Sequence, residues 1–428
     1  MRLVVKVPPD ASMLSTMLYE GLAYVISTAG GDVRPNPAGP GLTVELPDDA
    51  IVQSYVRVAQ DGEGIERIRI ATTPNDGKSV NKLLEMLGVN AEGFWPEKKG
   101  GGKAAVAPYG RLIGAVAEAA VRNPDAILKL GGGGVIEIGV RLGRNEIIIG
   151  SGGPALSLAL FKSCDKYGSM RVWEFGPISA QVGQKLSPAA ALICMLGLYS
   201  SYVDRVGNVN FLLPLDPAEV AEALNALQLL NTSPAEAISV RLEIRDVGRD
   251  VIREFTEAAV MPPAILSRLA LSVKLSKAFE GSRLEALRMR LVKVVEEGRI
   301  YKIYEDLPVE ARREPYVRGA LSRELSEHVS PKSPLMRCVT QFVRKGLGRA
   351  AQLCEENDHV LKAVEALYRL VALKDVTALS DYVRILRDAA DALESAAEGG
   401  ASLWRARTYR RWVARLDWAI AELIKAGG

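Results

Sequence analysis

The sequence is poor in the residues from which proteins build zinc sites. It contains only two histidines and four cysteines, Cys164, Cys194, Cys338 and Cys354, and no two of the cysteines form a C-x-x-C pair. Structural zinc sites draw on closely spaced cysteines and histidines, so the sequence predicts no metal site. Glutamine is also scarce, at seven residues. A shortage of such labile side chains is typical of a thermophile.

The sequence also has only weak signals for export or for membrane insertion. The N-terminus, MRLVVKVPPD, lacks the long apolar core and the small-residue cleavage site of a signal peptide, so we expect a cytoplasmic protein. Residues 186–203 are 18 residues without a charge, the shortest length that could cross a bilayer. Ser187 and Pro188 make a good N-cap and first-turn pair there, and glycine, serine and tyrosine dilute the hydrophobicity. We predict a buried helix and no membrane contact.

Proline is absent from the last 94 residues, although the whole chain has 22 prolines, and this absence is typical of a helix bundle. The two halves also differ in charge. Up to Val260 the chain has 25 basic and 29 acidic residues, net −4; from Met261 it has 29 and 22, net +7. We therefore predict a mixed α/β domain over residues 1–250, with a flexible basic loop at 96–108, and a basic helical bundle over residues 251–428.

The predicted fold class is α+β, with a mixed, partly antiparallel sheet in the N-terminal domain followed by an all-α helical bundle. Apolar alternation predicts strands at 2–7, 42–46, 65–71, 135–142, 146–150, 171–175, 209–213 and 240–245. A hairpin turn is predicted around residues 143–145. Helices are predicted at 12–27, 109–121, 154–167, 188–202, 264–279, 283–297, in the region from 359 to 393, and from 402 onward.

The stretch ATTPNDGKSVNKLLEMLG, residues 71–88, resembles an ATP-binding loop but departs from its frame. Thr72 stands where the first glycine of G-x-x-x-x-G-K-[ST] is required, and Asp76 would lie beside the phosphates. We interpret residues 75–77 as a polar turn that holds Lys78, with Ser79 capping a helix over residues 80–87.

Two further stretches are candidate anion or metal sites. IIIGSGGPALSLAL, residues 147–160, predicts a strand, a glycine turn and a proline-started helix, so Gly150 to Pro154 is a candidate anion or nucleotide site. CEENDH, residues 354–359, clusters possible ligands, but a charged helix start capped by Asn357 or Asp358 explains it. No pair of carboxylates is set apart as a general acid and base. We therefore predict no catalytic residues and no cofactor.

The basic features are the better candidates for a functional site. The glycine-rich loop carries lysines that either belong to a plain linker or contact phosphates: Lys98, Lys99 and Lys103. Between His328 and Cys354 five basic residues occur without an acidic one: Lys332, Arg337, Arg344, Lys345 and Arg349. Such a run faces either an anion or plain solvent.

The last helix divides into two faces by the helical period. Its predicted packing face holds Tyr409, Trp412, Val413, Leu416, Ile420 and Leu423. The other side carries arginines at positions i, i+4 and i+8 with two tryptophans beside them: Arg407, Arg411, Arg415, Trp404 and Trp418. Arginines at this interval can follow phosphates, and a tryptophan can stack on a base. Equally, the side could be a solvated arginine face whose tryptophans pack on a neighbouring subunit.

The order of parts in KLSPAAALICMLGLYSSYVDRVGNVNFLLPLDP, residues 185–217, resembles the large subunit of archaeal CRISPR interference complexes, the Cascade large subunit of the Apern subtype. In that family an apolar helix started by Ser-Pro precedes a strand that ends in a Leu-Pro step. The plan of the whole chain, a mixed half followed by a basic helical half, is also similar to that family.

The resemblance implies a subunit without catalytic activity in an RNA-guided antiviral complex. Such a subunit helps to recognise the motif that flanks the target and holds nucleic-acid strands, while base pairing supplies sequence specificity. Its partners would be guide RNA, target DNA, the other subunits of the complex and its helicase-nuclease. Two other classes remain open: a phosphate- or nucleotide-binding small-molecule transferase built on the Gly150 turn, and a protein-interaction scaffold that docks a partner on the last helix.

Overall fold

The computed structural model describes most of the chain, which forms two compact units. Unit 1 comprises Met1–Arg245 and Arg288–Pro308, and unit 2 comprises Asp246–Leu287 and Val309–Gly428. The described residues are 1–29, 42–96, 106–131, 134–142, 146–161, 183–226, 234–257, 275–279, 282, 284–297, 300–312, 319–330, 332–345, 354, 356–372, 375–395 and 400–427. Within them, no helix is both long and apolar enough to cross a membrane.

Unit 1 contains three small sheets in its described part. In the first, β1 (Arg2–Val5) lies between antiparallel β2 (Leu42–Glu45) and parallel β3 (Val135–Ile138). In the second, β5 (Glu146–Ile149) lies between antiparallel β4 (Val140–Leu142) and parallel β6 (Gly183–Leu186). The third has the order β10-β9-β8-β7; its strands are β7 (Tyr202–Val206), β8 (Val209–Leu212), β9 (Ala286–Glu297) and β10 (Ile300–Arg312).

The helices of unit 1 have the following bounds, in chain order. They are α1 (Met13–Ala29), α2 (Ala50–Ala59), α3 (Gly62–Arg67), α4 (Gly77–Met86), α5 (Ala91–Phe94), α6 (Tyr109–Arg122), α7 (Pro124–Gly131), α8 (Pro188–Ser201), α9 (Pro217–Ala226) and α10 (Pro234–Glu257), the last of which continues into unit 2.

Helix α8 is the centre of unit 1, and it confirms the buried helix predicted at residues 186–203. Every residue of α8 except Tyr199 is buried. Ser187 caps the helix by accepting the Ala190 N–H at 3.3 Å, and Pro188 occupies the first turn, where its missing N–H costs nothing. A helix that is apolar on all sides is stable only when neighbours surround it, and α1 supplies the largest contact.

The α1–α8 crossing brings two backbones into direct contact at a pair of glycines. A Cβ atom added to Gly21 would overlap the Ile193 carbonyl, and one added to Gly197 would overlap the Met17 carbonyl. Since both obstacles are backbone atoms of packed helices, no side-chain movement can relieve the overlap. The two glycines therefore set the distance between the helices.

We predict that Gly197→Ala destabilises unit 1 by about 1–3 kcal/mol, the usual cost of overpacking a close-packed core. Urea denaturation followed by circular dichroism measures this. Gly62→Ala is the matched control, since an added Cβ there meets nothing within 4 Å. Wild-type stability in the Gly197 variant would contradict the backbone contact.

Buried charge pairs join distant segments of unit 1. Glu20 and Arg245 form an ion pair with side chains 0% and 2% exposed. Glu20 also accepts the Ser200 hydroxyl at 2.8 Å and the Leu215 N–H at 2.9 Å, so both carboxylate oxygens are satisfied. Similarly, Arg290 of β9 pairs with Asp306 of β10. The Glu20 contacts connect α1, α8 and α10, and Arg290, which also donates to the Thr16 hydroxyl at 2.8 Å, connects the third sheet to α1.

Unit 2 is mainly helical in its described residues. Its helices are α11 (Gly319–His328), α12 (Pro334–Lys345), α13 (Asn357–Ala372), α14 (Thr377–Ser395) and α15 (Gly400–Gly427). Helix α14 packs against both α13 and α15, and α15 also packs on α11. A disulfide between Cys338 and Cys354 joins α12 to the residues just before α13. Nothing in the spacing of these two cysteines predicts the bond.

The predicted α+β fold class is confirmed, as is the hairpin around residues 143–145, where β4 and β5 pair antiparallel. The helix predicted at 283–297 is wrong, because residues 286–297 form β9. The strand is buried on both faces from Met289 to Val295, and such a strand lacks the alternation that separates strands from helices.

Three other element predictions are wrong. Residues 240–245 lie in α10, where Ile238, Leu242 and Arg245 are buried at helical spacing. Residues 65–67 end helix α3, which Asp61 caps through the Gly64 N–H at 3.0 Å. Residues 154–158 form no helix; only a short 3-10 turn follows, at Ala159–Phe161. The strand predicted at 171–175 lies outside the described residues.

Candidate nucleic-acid interface

Helix α15 carries the predicted arginine face, and its burial pattern confirms the main part of the predicted packing face. Tyr409, Trp412, Val413 and Leu416 are all buried. Trp404 and Trp418 on the opposite side are 51% and 58% exposed. The helix thus separates one face that packs inside unit 2 from one that contacts solvent.

The buried face of α15 is held by aromatic stacking. Trp412 stacks on His328, the last residue of α11, with ring centroids 3.9 Å apart. His328 Nδ1 lies 3.0 Å from the Tyr382 hydroxyl of α14. Burial, assisted by the positive charge of Arg415, lowers the pKa of His328 to about 3, so the imidazole is neutral and serves as a packing group.

A buried carboxylate fixes the first half of the same helix. Glu356 is fully buried and accepts the Tyr409 hydroxyl at 3.2 Å. Arg405 approaches the other carboxylate oxygen at 3.4 Å. Burial, together with the Glu356 charge, raises the pKa of Tyr409. The sequence places Glu356 in the cluster CEENDH, but the structure shows that it is an anchor for α15.

The five arginines between residues 402 and 421 divide into two groups. Arg405, Arg410 and Arg415 form ion pairs within unit 2, the last two with Glu394 at 3.2 Å and Glu327 at 3.0 Å. Arg407 and Arg411 are exposed, and neither forms an ion pair with a described residue. Arg415, predicted as a nucleic-acid ligand, is therefore already partly neutralised, and the uncompensated charge of α15 lies on Arg407 and Arg411.

The outer face of α15 is defined here as Trp404, Arg407, Arg411 and Trp418. Successive residues of a helix turn by about 100°, so all four side chains project within roughly 60° of one another. The two tryptophans are separated by about 21 Å along the helix axis at about 1.5 Å per residue. Between Arg411 and Trp418, Ala414 and the ion-paired Arg415 project near this side, and no acidic residue does.

Of the remaining predicted site residues, some lie in or near α12 and the others lie outside the described residues. Lys332 and Arg337 are exposed at the start of α12. Arg344 and Lys345 lie in the last turn of α12. Four predicted ligands lie outside the described residues: Lys98, Lys99, Lys103 and Arg349.

The segment of residues 71–88 offers no open anion site, because the Asp76 carboxylate of the protein itself accepts the N–H groups there. Asp76 is fully buried and accepts the N–H groups of Thr73 at 2.8 Å and Ala159 at 2.7 Å. Helix α4 begins at Gly77, and the Ser79 hydroxyl accepts the Ser157 N–H. The prediction that Ser79 caps a helix starting at residue 80 is therefore wrong, and Lys78 lies in the first turn of α4.

The Gly150 turn also differs from the predicted anion site. The Gly150 N–H donates to the Gly139 carbonyl at 2.8 Å, and the Ser151 N–H donates to the Glu137 carbonyl at 2.9 Å. An anion would need such groups free. No helix begins at Pro154 either, so the helix N-terminus on which the transferase alternative depended is absent from this turn.

Comparison with known proteins gives one full-length similarity. The chain is 24% identical over 429 residues to an uncharacterized protein of Archaeoglobus fulgidus, covering 98% of this chain and 100% of that protein. The relative therefore contains counterparts of both units. No protein-family model matches the chain, and no solved structure does.

Proposed function

We propose that this protein binds nucleic acid through the outer face of α15, as a subunit without catalytic activity in an RNA-guided antiviral complex. The observation that carries the binding proposal is the pair Arg407 and Arg411, exposed and without an ion-pair partner among the described residues. Two uncompensated guanidinium groups one helical turn apart provide the donors that phosphates accept. The exposed arginine and lysine at the start of α12 add positive charge in the same unit.

The role in a guide complex rests on the sequence resemblance at residues 185–217 and on the charge division of the chain. Guide RNA and target DNA are the proposed ligands, and the other subunits and the helicase-nuclease are the proposed protein partners, in the cytoplasm. In this role the protein contacts strands through phosphates and a few bases, while guide pairing reads the sequence. Purification of the native complex, with sequencing of the bound RNA, tests the role.

We predict that the double variant Arg407→Ala, Arg411→Ala loses affinity for DNA and shows a weaker salt dependence. Each phosphate contact contributes about 0.9 to the slope of log affinity against log salt concentration for a duplex. The slope should therefore fall by about 1.8. Fluorescence anisotropy with a labelled duplex, between about 50 and 200 mM salt, measures it.

The matched control removes two exposed arginines that lie elsewhere. Arg122 of α6 and Arg384 of α14 have side chains 79% and 69% exposed. The variant Arg122→Ala, Arg384→Ala has the same net charge as the test variant and should keep the wild-type slope. Equal effects in the two variants would show that binding follows net charge and not the outer face.

A further inference from the structure

The two tryptophans of the outer face are not explained by phosphate binding alone. Trp404 and Trp418 expose 51% and 58% of their surface, whereas Trp412 of the same helix is 2% exposed. Burying a tryptophan is favourable, so leaving two of them in water is costly unless a ligand covers them. Along the helix, one tryptophan precedes the arginine pair and the other follows it.

The side chains of the outer face suit single-stranded nucleic acid better than a duplex. In a duplex the flat surfaces of the bases are covered by their neighbours, and only base edges and phosphates are accessible from the grooves. An indole has a single N–H donor and reads such edges poorly. In a single strand the bases are free, and every base has a flat surface on which an aromatic ring can stack.

The spacing of the four side chains is compatible with one continuous strand. About 21 Å separates the tryptophans along the axis, and a stacked strand advances by about 3.4 Å per nucleotide, so the face spans about six nucleotides. The arginines lie between the tryptophans, where they reach the phosphates that connect the stacked bases. A guanidinium plane can also stack on a base itself.

Several acidic residues near this face take part in ion pairs, although in two of the cases two carboxylates share one arginine. Asp391 and Glu394 of α14 are paired with Arg410, and Glu324 and Glu327 of α11 are paired with Arg415. Glu422, in the turn after Trp418, is paired with Lys425 at 3.3 Å. Two exposed indole rings beside Arg407 and Arg411 therefore favour a nucleic-acid strand, which offers both flat bases and phosphates, over a neutral protein surface.

From these observations we infer that the outer face of α15 is a site for single-stranded nucleic acid. Trp404 and Trp418 each stack on an unpaired base, and Arg407 and Arg411 bind the phosphates between them. This inference rests on the proposed function and specifies its ligand as a strand released from a duplex or never paired.

The test compares two probes of equal length, an oligothymidylate of about 16 nucleotides, the upper end of single-strand site sizes, and a duplex. The variant Trp404→Ala, Trp418→Ala should lose about tenfold in single-strand affinity for each tryptophan, while its duplex affinity stays within about twofold of wild type. Trp404→Phe, Trp418→Phe should retain most single-strand affinity, since the rings remain. Leu361→Ala is the control, because Leu361 is an apolar residue of α13 that is 43% exposed.

The outcomes separate this inference from the function on which it rests. Equal losses on both probes, or no loss on either, would overturn the single-strand site, while a reduced salt slope in the arginine variant would still support nucleic-acid binding. Wild-type protein that binds neither probe would overturn the proposed function itself. If the tryptophan variant instead loses a co-purifying protein and keeps its affinity for both probes, the face is a protein-docking surface and the inference is wrong.

Discussion

Replacing Glu20 by alanine is expected to lower the free energy of unfolding of unit 1 by about 3–5 kcal/mol, the usual cost of breaking a buried ion pair. The variant leaves the Arg245 guanidinium without its carboxylate in a site where that side chain is 2% exposed. It also leaves the Leu215 N–H and the Ser200 hydroxyl without their acceptor. Urea denaturation of the whole chain, followed by far-ultraviolet circular dichroism, measures the change in the unfolding midpoint.

The loss of stability in Glu20→Ala comes from the Arg245 charge that remains without its carboxylate. A second variant tests this explanation. Replacing both partners, Glu20→Leu with Arg245→Met, removes both charges together, and apolar replacement of a buried pair is often neutral or stabilising. The double variant should therefore be more stable than Glu20→Ala. The exposed pair of Glu63 and Arg67 is the control, since its Glu63 side chain is 76% exposed. Glu63→Ala should cost at most about 1 kcal/mol.

A loss below about 1 kcal/mol in Glu20→Ala would contradict the buried pair. A double variant less stable than Glu20→Ala would contradict the explanation by charge, because the segments would then be held by the hydrogen bonds of Glu20 and Arg245 and not by charge balance.

Replacing Cys338 and Cys354 by serine is expected to destabilise unit 2 by about 3 kcal/mol. The bond closes a loop between residues 16 positions apart, and the entropy lost by the unfolded chain on closing such a loop corresponds to roughly that amount. Tryptophan fluorescence follows this unit, because Trp404, Trp412 and Trp418 lie in α15. The midpoint of thermal unfolding should fall in the variant.

Reductant provides the matching comparison. It should lower the midpoint of the wild-type protein to that of the serine variant and leave the variant unchanged. Cys194 is the free, buried cysteine among the described residues, and a Cys194→Ala variant should remain sensitive to reductant. Insensitivity of the wild-type protein would contradict the bond.

The sequence predicts an element well when the residues of that element alone determine its structure. Helix α8 could be predicted because Ser187 and Pro188 start it and an unbroken apolar run continues it. The buried face of α15 could be predicted from helical spacing alone. Strand β9 could not, because burial on both faces removes the alternation from which a strand is identified.

The candidate site was harder to predict than the fold, since it depends on partners far apart in the sequence. Arg407, Arg411 and Arg415 look equivalent in the sequence, yet Glu324 and Glu327 pair with the last and leave the first two without an ion pair to a described residue. Likewise, Glu356 and the two bonded cysteines acquire their roles only through contacts between helices. Spacing identifies which side of a helix a residue occupies, but only tertiary structure shows whether its charge is already compensated.

Some arginines of α15 are ion-paired and others are not, and this difference determines how salt concentration affects purification of the protein. At about 1 M salt the Debye length shrinks to about 3 Å, so strands held by Arg407 and Arg411 would be released. The stacking of Trp412 on His328 and the packing of Leu416 are apolar contacts that salt does not weaken. If the outer face binds a strand as proposed, we expect a high-salt wash to strip that strand and keep the helix in place, and low-salt purification to retain it.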